Sequence, residues 1–93
     1  MSRIEKKLYM PNTDTFRAAL CEIFKVANKY GIREVTIVSG DLHRKLGGYP
    51  GSTHRMPVCC EVMKQLMKAN DEIVFEPPRG KGATLSIRYK LPR

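Results

Sequence analysis

The sequence contains no tryptophan, few cysteines and no long apolar run. Its 93 residues include three cysteines, and no stretch approaches the roughly 18 to 20 consecutive apolar residues that a membrane helix needs. Residues 1–7 carry charges on both sides of Ile4. No apolar segment of the kind found in a secretory signal follows them. We therefore expect a single domain in the cytoplasm, without membrane contact.

The three cysteines give little support for a metal site, a disulfide or catalysis. Cys59 and Cys60 are adjacent, and such a pair disfavours a mutual disulfide, so reduced thiols are expected, with Cys59 in the core and Cys60 at its boundary. The spacing of His54 from these cysteines matches no zinc framework. No local motif supports a role for His43 as the base that activates a cysteine nucleophile. We expect no cofactor, no metal, no small-molecule substrate and no enzymatic activity.

Acidic residues are scarce relative to basic ones. Seventeen Lys and Arg stand against nine Asp and Glu, which gives a formal net charge of +8 and an isoelectric point near 9.7. A field of this sign attracts polyanions. Charge therefore favours nucleic acid as the partner.

Apolar periodicity divides the chain into alternating helices and strands. Helices are predicted over residues 13–30, over residues 41–46, and from between residues 55 and 57 to residue 68. Strands are predicted over residues 34–38, 73–75 and 84–91. Residues 1–11 are expected to form an N-terminal arm or a short strand, and residues 12–91 the core of one domain.

Capping residues and glycines mark the ends of these elements. Asn12 or Thr13 suits the start of the first helix, and Gly31 suits its end. Ser39 is placed to cap the second helix. The glycine-rich stretch at residues 47–52 excludes regular structure, and Tyr49 within it is expected to pack the loop onto the core.

The order helix, strand, helix, turn, helix, strand, basic turn, strand resembles the winged helix-turn-helix family over about residues 13–91. The resemblance implies an α+β domain with three helices, a three-stranded antiparallel sheet and a β-hairpin wing. In that family the helix after the turn usually enters the DNA major groove, and the wing touches phosphates or the minor groove. Residues 58–68 then look like the recognition helix, and residues 79–82 like the wing tip.

The residue types at these places suit nucleic-acid contacts. In helix-turn-helix docking the start of the recognition helix reaches base edges, its exposed face lies in the groove, and basic side chains beside glycines approach phosphates. The predicted contacts are Ser52, Thr53, His54, Arg55, Lys64, Gln65, Lys68, Arg79 and Lys81. Duplex DNA is the favoured partner, and a role in transcription regulation is the corresponding expectation.

Two features depart from the family pattern and keep alternatives open. The link over residues 47–56 is longer than a typical turn of three or four residues, and Glu61 places a carboxylate on the proposed groove face. One alternative is a protein-interaction module that forms a homodimer or a larger complex through the N-terminal arm. Another is RNA binding, although no pair of exposed strand aromatics is evident.

Overall fold

The computed structural model describes residues 12–46 and 55–93, which form three helices and three strands. In chain order these are α1 (Thr13–Lys29), β1 (Glu34–Val38), α2 (Ser39–Leu46), α3 (Met56–Gln65), β2 (Glu72–Phe75) and β3 (Ser86–Lys90). The α+β class and the predicted element order are confirmed. The N-terminal arm, Tyr49, Ser52, Thr53 and His54 lie outside the described residues.

Helix α1 begins and ends as its flanking residues predict. The Asn12 side chain accepts a hydrogen bond from the Thr15 N–H at 2.9 Å, which satisfies one of the free donors at the helix start. Gly31 follows the helix with a φ of 71°, a conformation that costs glycine little. Between these ends, one face of α1 is buried, and its core residues are Phe16, Leu20, Phe24 and Ala27.

The three strands form one antiparallel sheet in the order β1-β3-β2. Alternate residues along the central strand and its flanks face the core, namely Leu85, Ile87, Tyr89 and Leu91. The opposite face is charged: Arg88 contacts Glu34 and Glu72, and Lys90 contacts Glu34. The half-buried pattern predicted for the last strand is therefore confirmed.

The helices pack on the apolar face of this sheet. Tyr89 crosses the core, and its hydroxyl donates a 2.7 Å hydrogen bond to the Met63 carbonyl of α3. Burial raises the pKa of the Tyr89 phenol, so the hydroxyl keeps its proton and remains a donor. This contact fixes α3 against the central strand.

Three local predictions are corrected. Helix α3 ends at Gln65 and not at residue 68, because the chain turns at Leu66 with the Met67 N–H bonded to the Lys64 carbonyl. Ser39 is the first residue of α2, and its hydroxyl donates to the Gly82 carbonyl where a cap would accept. Cys60 is fully buried rather than at the core boundary, because the loop at Gly82 covers its thiol.

Candidate nucleic-acid interface

The connection between β2 and β3, residues 76–85, is called the hairpin loop. It starts with a tight turn in which the Gly80 N–H donates to the Pro77 carbonyl at 2.8 Å. Pro78 suits the second position of such a turn, and Gly80 takes a φ of 76°. Because Pro77 is buried and Gly82 packs against its ring, the loop folds back on itself.

Helix α3 holds one side of the hairpin loop. The Lys64 ammonium donates to the Gly80 carbonyl at 2.9 Å and to the Glu76 carboxylate at 2.6 Å. One turn earlier on the helix, the Cys60 sulfur accepts from the Gly82 N–H at 3.2 Å and contacts the Gly82 carbonyl at 3.3 Å. The backbone of the loop is thus fixed relative to α3.

The first turn of α2 holds the other side of the hairpin loop. Its backbone N–H groups donate directly to the loop: Ser39 to the Leu85 carbonyl at 2.8 Å, and Gly40 to the Ala83 carbonyl at 2.9 Å. These are donors that a helix start otherwise leaves without intrahelical partners. A Cβ atom at Gly40 would lie 2.8 Å from the Ala83 oxygen, so this close approach requires glycine.

Arg79 and Lys81 are exposed on either side of Gly80. The nearby Glu76 carboxylate is 2.6 Å from the Lys64 ammonium, so these two charges offset each other. The positive charge of the loop therefore comes from Arg79 and Lys81. Their backbone is held in place by the contacts of Gly80 and Gly82 with α3.

Arg55 is the residue before the first turn of α3, as its sequence position predicts. Its backbone N–H donates to Nε2 of His43 at 2.7 Å. His43 is fully buried in α2 and packs edge-on against the Phe16 ring, with 5.0 Å between the ring centroids. The histidine therefore fixes the start of α3, and the Arg55 side chain remains half-exposed.

Gln65 and Lys68 lie away from the hairpin loop. The Gln65 side chain accepts a long hydrogen bond from Arg17 of α1 at 3.4 Å. The Lys68 backbone and the Lys90 backbone both donate to Asp71, which places Lys68 at the end of β3 farther from the loop. The two ends of this five-residue strand are roughly 13 Å apart at about 3.3 Å per residue. Among the described residues, the predicted contacts therefore do not form one continuous patch.

The described residues offer little for metal or thiol chemistry. Within residues 12–46 and 55–93, no group of three or more His, Cys, Asp or Glu side chains is arranged to hold a metal ion. Burial raises the pKa of Cys59 to about 12, with a smaller contribution from Cys60, so this thiol is a poor nucleophile at neutral pH. Cys21 is exposed on α1. No helix in this part of the chain combines the length and apolar character needed to cross a membrane.

Two features of this region were not foreseen from the sequence. Lys64 was predicted on an exposed groove face, yet its ammonium joins α3 to the hairpin loop. Phe75, predicted only as a strand residue, is one of the exposed large apolar side chains and immediately precedes the loop. A Phe followed by Glu-Pro-Pro is a signal for the end of a strand, but it does not reveal which way the ring points.

Comparison with known proteins gives no match: no family model, no curated protein and no solved structure is significantly similar to this chain.

Proposed function

We propose that this chain is a winged-helix domain that binds duplex DNA, with the hairpin loop as the wing. The observation that carries the proposal is the pair of exposed cations, Arg79 and Lys81, on a loop whose backbone α3 holds through the Lys64–Gly80 hydrogen bond. Cations on a fixed backbone lose little freedom when they bind phosphates, and phosphate contacts set the register of a protein on DNA.

The arrangement of the elements supports the same proposal. The antiparallel hairpin of β2 and β3 lies beside α3, and β1 completes the sheet. The start of α3, marked by Arg55, is held by the buried His43. The start of α3 and the basic loop, which α3 contacts nine residues later at Lys64, give two separate contact regions for one duplex, one for base edges and one for the backbone.

The distribution of charge also supports a polyanion as the partner. The carboxylates of the described residues are largely engaged with cations on the protein itself, as ion pairs at Asp14, Glu34, Asp41, Asp71, Glu72 and Glu76 show. They offset charge on the helices and on the outer face of the sheet. The excess of positive charge is thereby left available at sites such as the wing.

The test is a fluorescence-anisotropy titration of the full chain with a random-sequence DNA duplex at several salt concentrations. Binding is expected to weaken steeply as salt rises. Arg79→Ala and Lys81→Ala are each expected to raise Kd about three- to tenfold, because each removes a charged phosphate contact, and to lower the salt slope by about one.

The matched control is Lys29→Ala, which removes the same charge from the end of α1, beside the Tyr30 ring and away from the wing. This variant is expected to bind within about twofold of the unchanged protein. Equal losses in all three variants would contradict a specific role for the wing. Absence of binding at low salt would contradict DNA binding itself, and tighter binding of an RNA duplex in the same assay would contradict the choice of DNA.

A further inference from the structure

Strand β2 exposes two adjacent apolar side chains at the base of the hairpin loop. Val74 is 46% exposed and Phe75 is 52% exposed. In a regular strand successive side chains alternate between the faces, so Phe75 would share the core-facing side with Ile73. Because Phe75 is exposed instead, it departs from the alternation between the two faces that Ile73 and Val74 begin.

A β-bulge explains this departure. Ile73 pairs with Ile87 of β3, but Phe75 pairs with Ser86, so two steps along β2 match one step along β3. The extra residue breaks the alternation and leaves Phe75 on the solvent side. Bulges frequently redirect a side chain near a functional site, and here the redirected side chain is the largest apolar one on the strand.

Phe75 lies close in sequence to the two cations of the wing, Arg79 and Lys81. Arg79 follows it four positions later, so their Cα atoms are at most about 14 Å apart along the chain, roughly four base steps of a duplex. Within the described sheet β2 is an edge strand whose neighbour is β3, and the Phe75 side chain on it is exposed. A duplex held by Arg79 and Lys81 would therefore lie within reach of the phenyl ring.

We propose that Phe75 stacks on a nucleobase at an unpaired or kinked step, so that the protein prefers bulged DNA to a fully paired duplex. This inference rests on the proposed function. An exposed aromatic ring that immediately precedes a basic loop suits a base face, and stacking on an aromatic side chain does not depend on the identity of the base. The base faces of an intact duplex are covered by their neighbours, so the ring requires a step that is already open.

The test compares two DNA molecules that bind the full chain in the same buffer. One is a fully paired duplex, and the other carries a single unpaired 2-aminopurine at its centre. The unchanged protein is expected to bind the bulged DNA about 5- to 100-fold more tightly, which corresponds to the usual contribution of one base–aromatic stack. The 2-aminopurine fluorescence is expected to fall on binding because its ring becomes stacked.

Variants separate stacking from charge. Phe75→Ala is expected to abolish both the preference and the fluorescence change, while its affinity for the paired duplex stays within about twofold; Phe75→Tyr is expected to keep the preference. Tyr30→Ala is the control, because Tyr30 is an exposed aromatic that precedes the opposite end of the sheet. The melting temperature of Phe75→Ala is expected to stay within a few degrees, since the ring is exposed.

The outcomes distinguish this inference from the proposed function. A preference that survives in Phe75→Ala, or equal binding of both DNA molecules by the unchanged protein, would overturn the role of Phe75 while leaving wing-dependent duplex binding intact. Weaker duplex binding by Arg79→Ala, together with loss of the preference in Phe75→Ala alone, would support both. No binding of either DNA would overturn both.

Discussion

Asp71 is a nearly buried carboxylate that joins three segments of the chain. Its oxygens accept hydrogen bonds from the N–H groups of Lys68 at 2.8 Å and Lys90 at 2.7 Å and from the Arg93 guanidinium at 2.7 Å. Burial acts to raise the pKa of Asp71, but these donors outweigh it and hold the pKa below its ordinary value of 3.8. The charged form therefore stabilises the connection between the turn after α3 and the end of β3.

Replacing Asp71 by Asn is expected to lower the free energy of unfolding by about 2 to 4 kcal/mol at pH 7, because a buried, hydrogen-bonded charge is lost opposite Arg93. A group whose pKa is lowered by folding stabilises the protein above its unfolded pKa, and this contribution disappears as the pH falls through the folded value. The difference between the two proteins should therefore be full at pH 7 and narrow below about pH 4. Urea unfolding across this range measures it.

Asp41→Asn is the matched control for this prediction. Asp41 makes an exposed ion pair with Arg44, three residues later in the same helix. Exposed pairs of this kind contribute little, so the change is expected to stay within about 0.5 kcal/mol. A difference for Asp71→Asn that is the same at pH 3 and pH 7 would show that the charge is not the cause.

His43 shows how a polar residue can serve the core. From the sequence alone, the one role that His43 suggests is that of a base for a cysteine nucleophile. In the structure Cys59 donates a sulfur hydrogen bond to the Ser39 carbonyl at 3.6 Å, whereas His43 accepts from the Arg55 N–H. Its position on the buried side of α2, beside Leu42, was not evident because a short helix offers too few turns to define a face.

At the scale of the elements, the close approach of α2 to the hairpin loop depends on Gly40. Replacement of a helical glycine by alanine ordinarily stabilises a helix by about 1 kcal/mol. Here the added methyl group would lie 2.8 Å from the backbone oxygen of Ala83, so the helix start and the loop must separate. Gly40→Ala is therefore expected to destabilise the protein by about 1 to 3 kcal/mol.

Thermal or urea unfolding measures this effect, with Lys45→Ala as the control on the exposed side of the same helix. The control is expected to change the free energy of unfolding by no more than about 0.5 kcal/mol. A Gly40→Ala variant that is more stable than the unchanged protein would mean that α2 does not contact the loop as closely as described.

The helices and strands could be predicted from the sequence where the residue pattern that specifies each one lies within the element itself. The β-branched run at Glu34–Val38 gave a strand with the observed bounds, and the stripe from Phe16 to Ala27 gave α1. The end of α3 was predicted three residues late, because Leu66 and Met67 continue the apolar period although they lie beyond the helix. Periodicity records which residues are buried, not where the backbone stops being helical.

The candidate site was predictable only in part, because its geometry depends on contacts between distant residues. The exposure of Arg79 and Lys81 follows from a basic turn rich in glycine and proline. Lys64 donates to the Gly80 carbonyl 16 positions away, and Cys60 accepts from the Gly82 N–H 22 positions away. The bulge that exposes Phe75 depends on strand register, which no short segment of β2 specifies alone.

At the scale of the whole molecule, an excess of positive charge is combined with one rigid basic loop. The ion pairs lie mostly on the helix surfaces and on the outer face of the sheet, where Arg88 and Lys90 meet Glu34. The hairpin loop differs because Arg79 and Lys81 are exposed on a segment that two helices hold in place. We therefore propose that this loop binds duplex DNA.

The most direct test is an NMR titration of the ¹⁵N-labelled full chain with a DNA duplex at low salt, with the backbone amide signals of each residue followed. We expect the largest shifts at Gly80, Lys81 and Gly82, and we expect added salt to reverse them. Shifts that cluster instead around Gly31, beyond the far end of the sheet, or no shifts at all, would contradict the claim that the hairpin loop binds DNA.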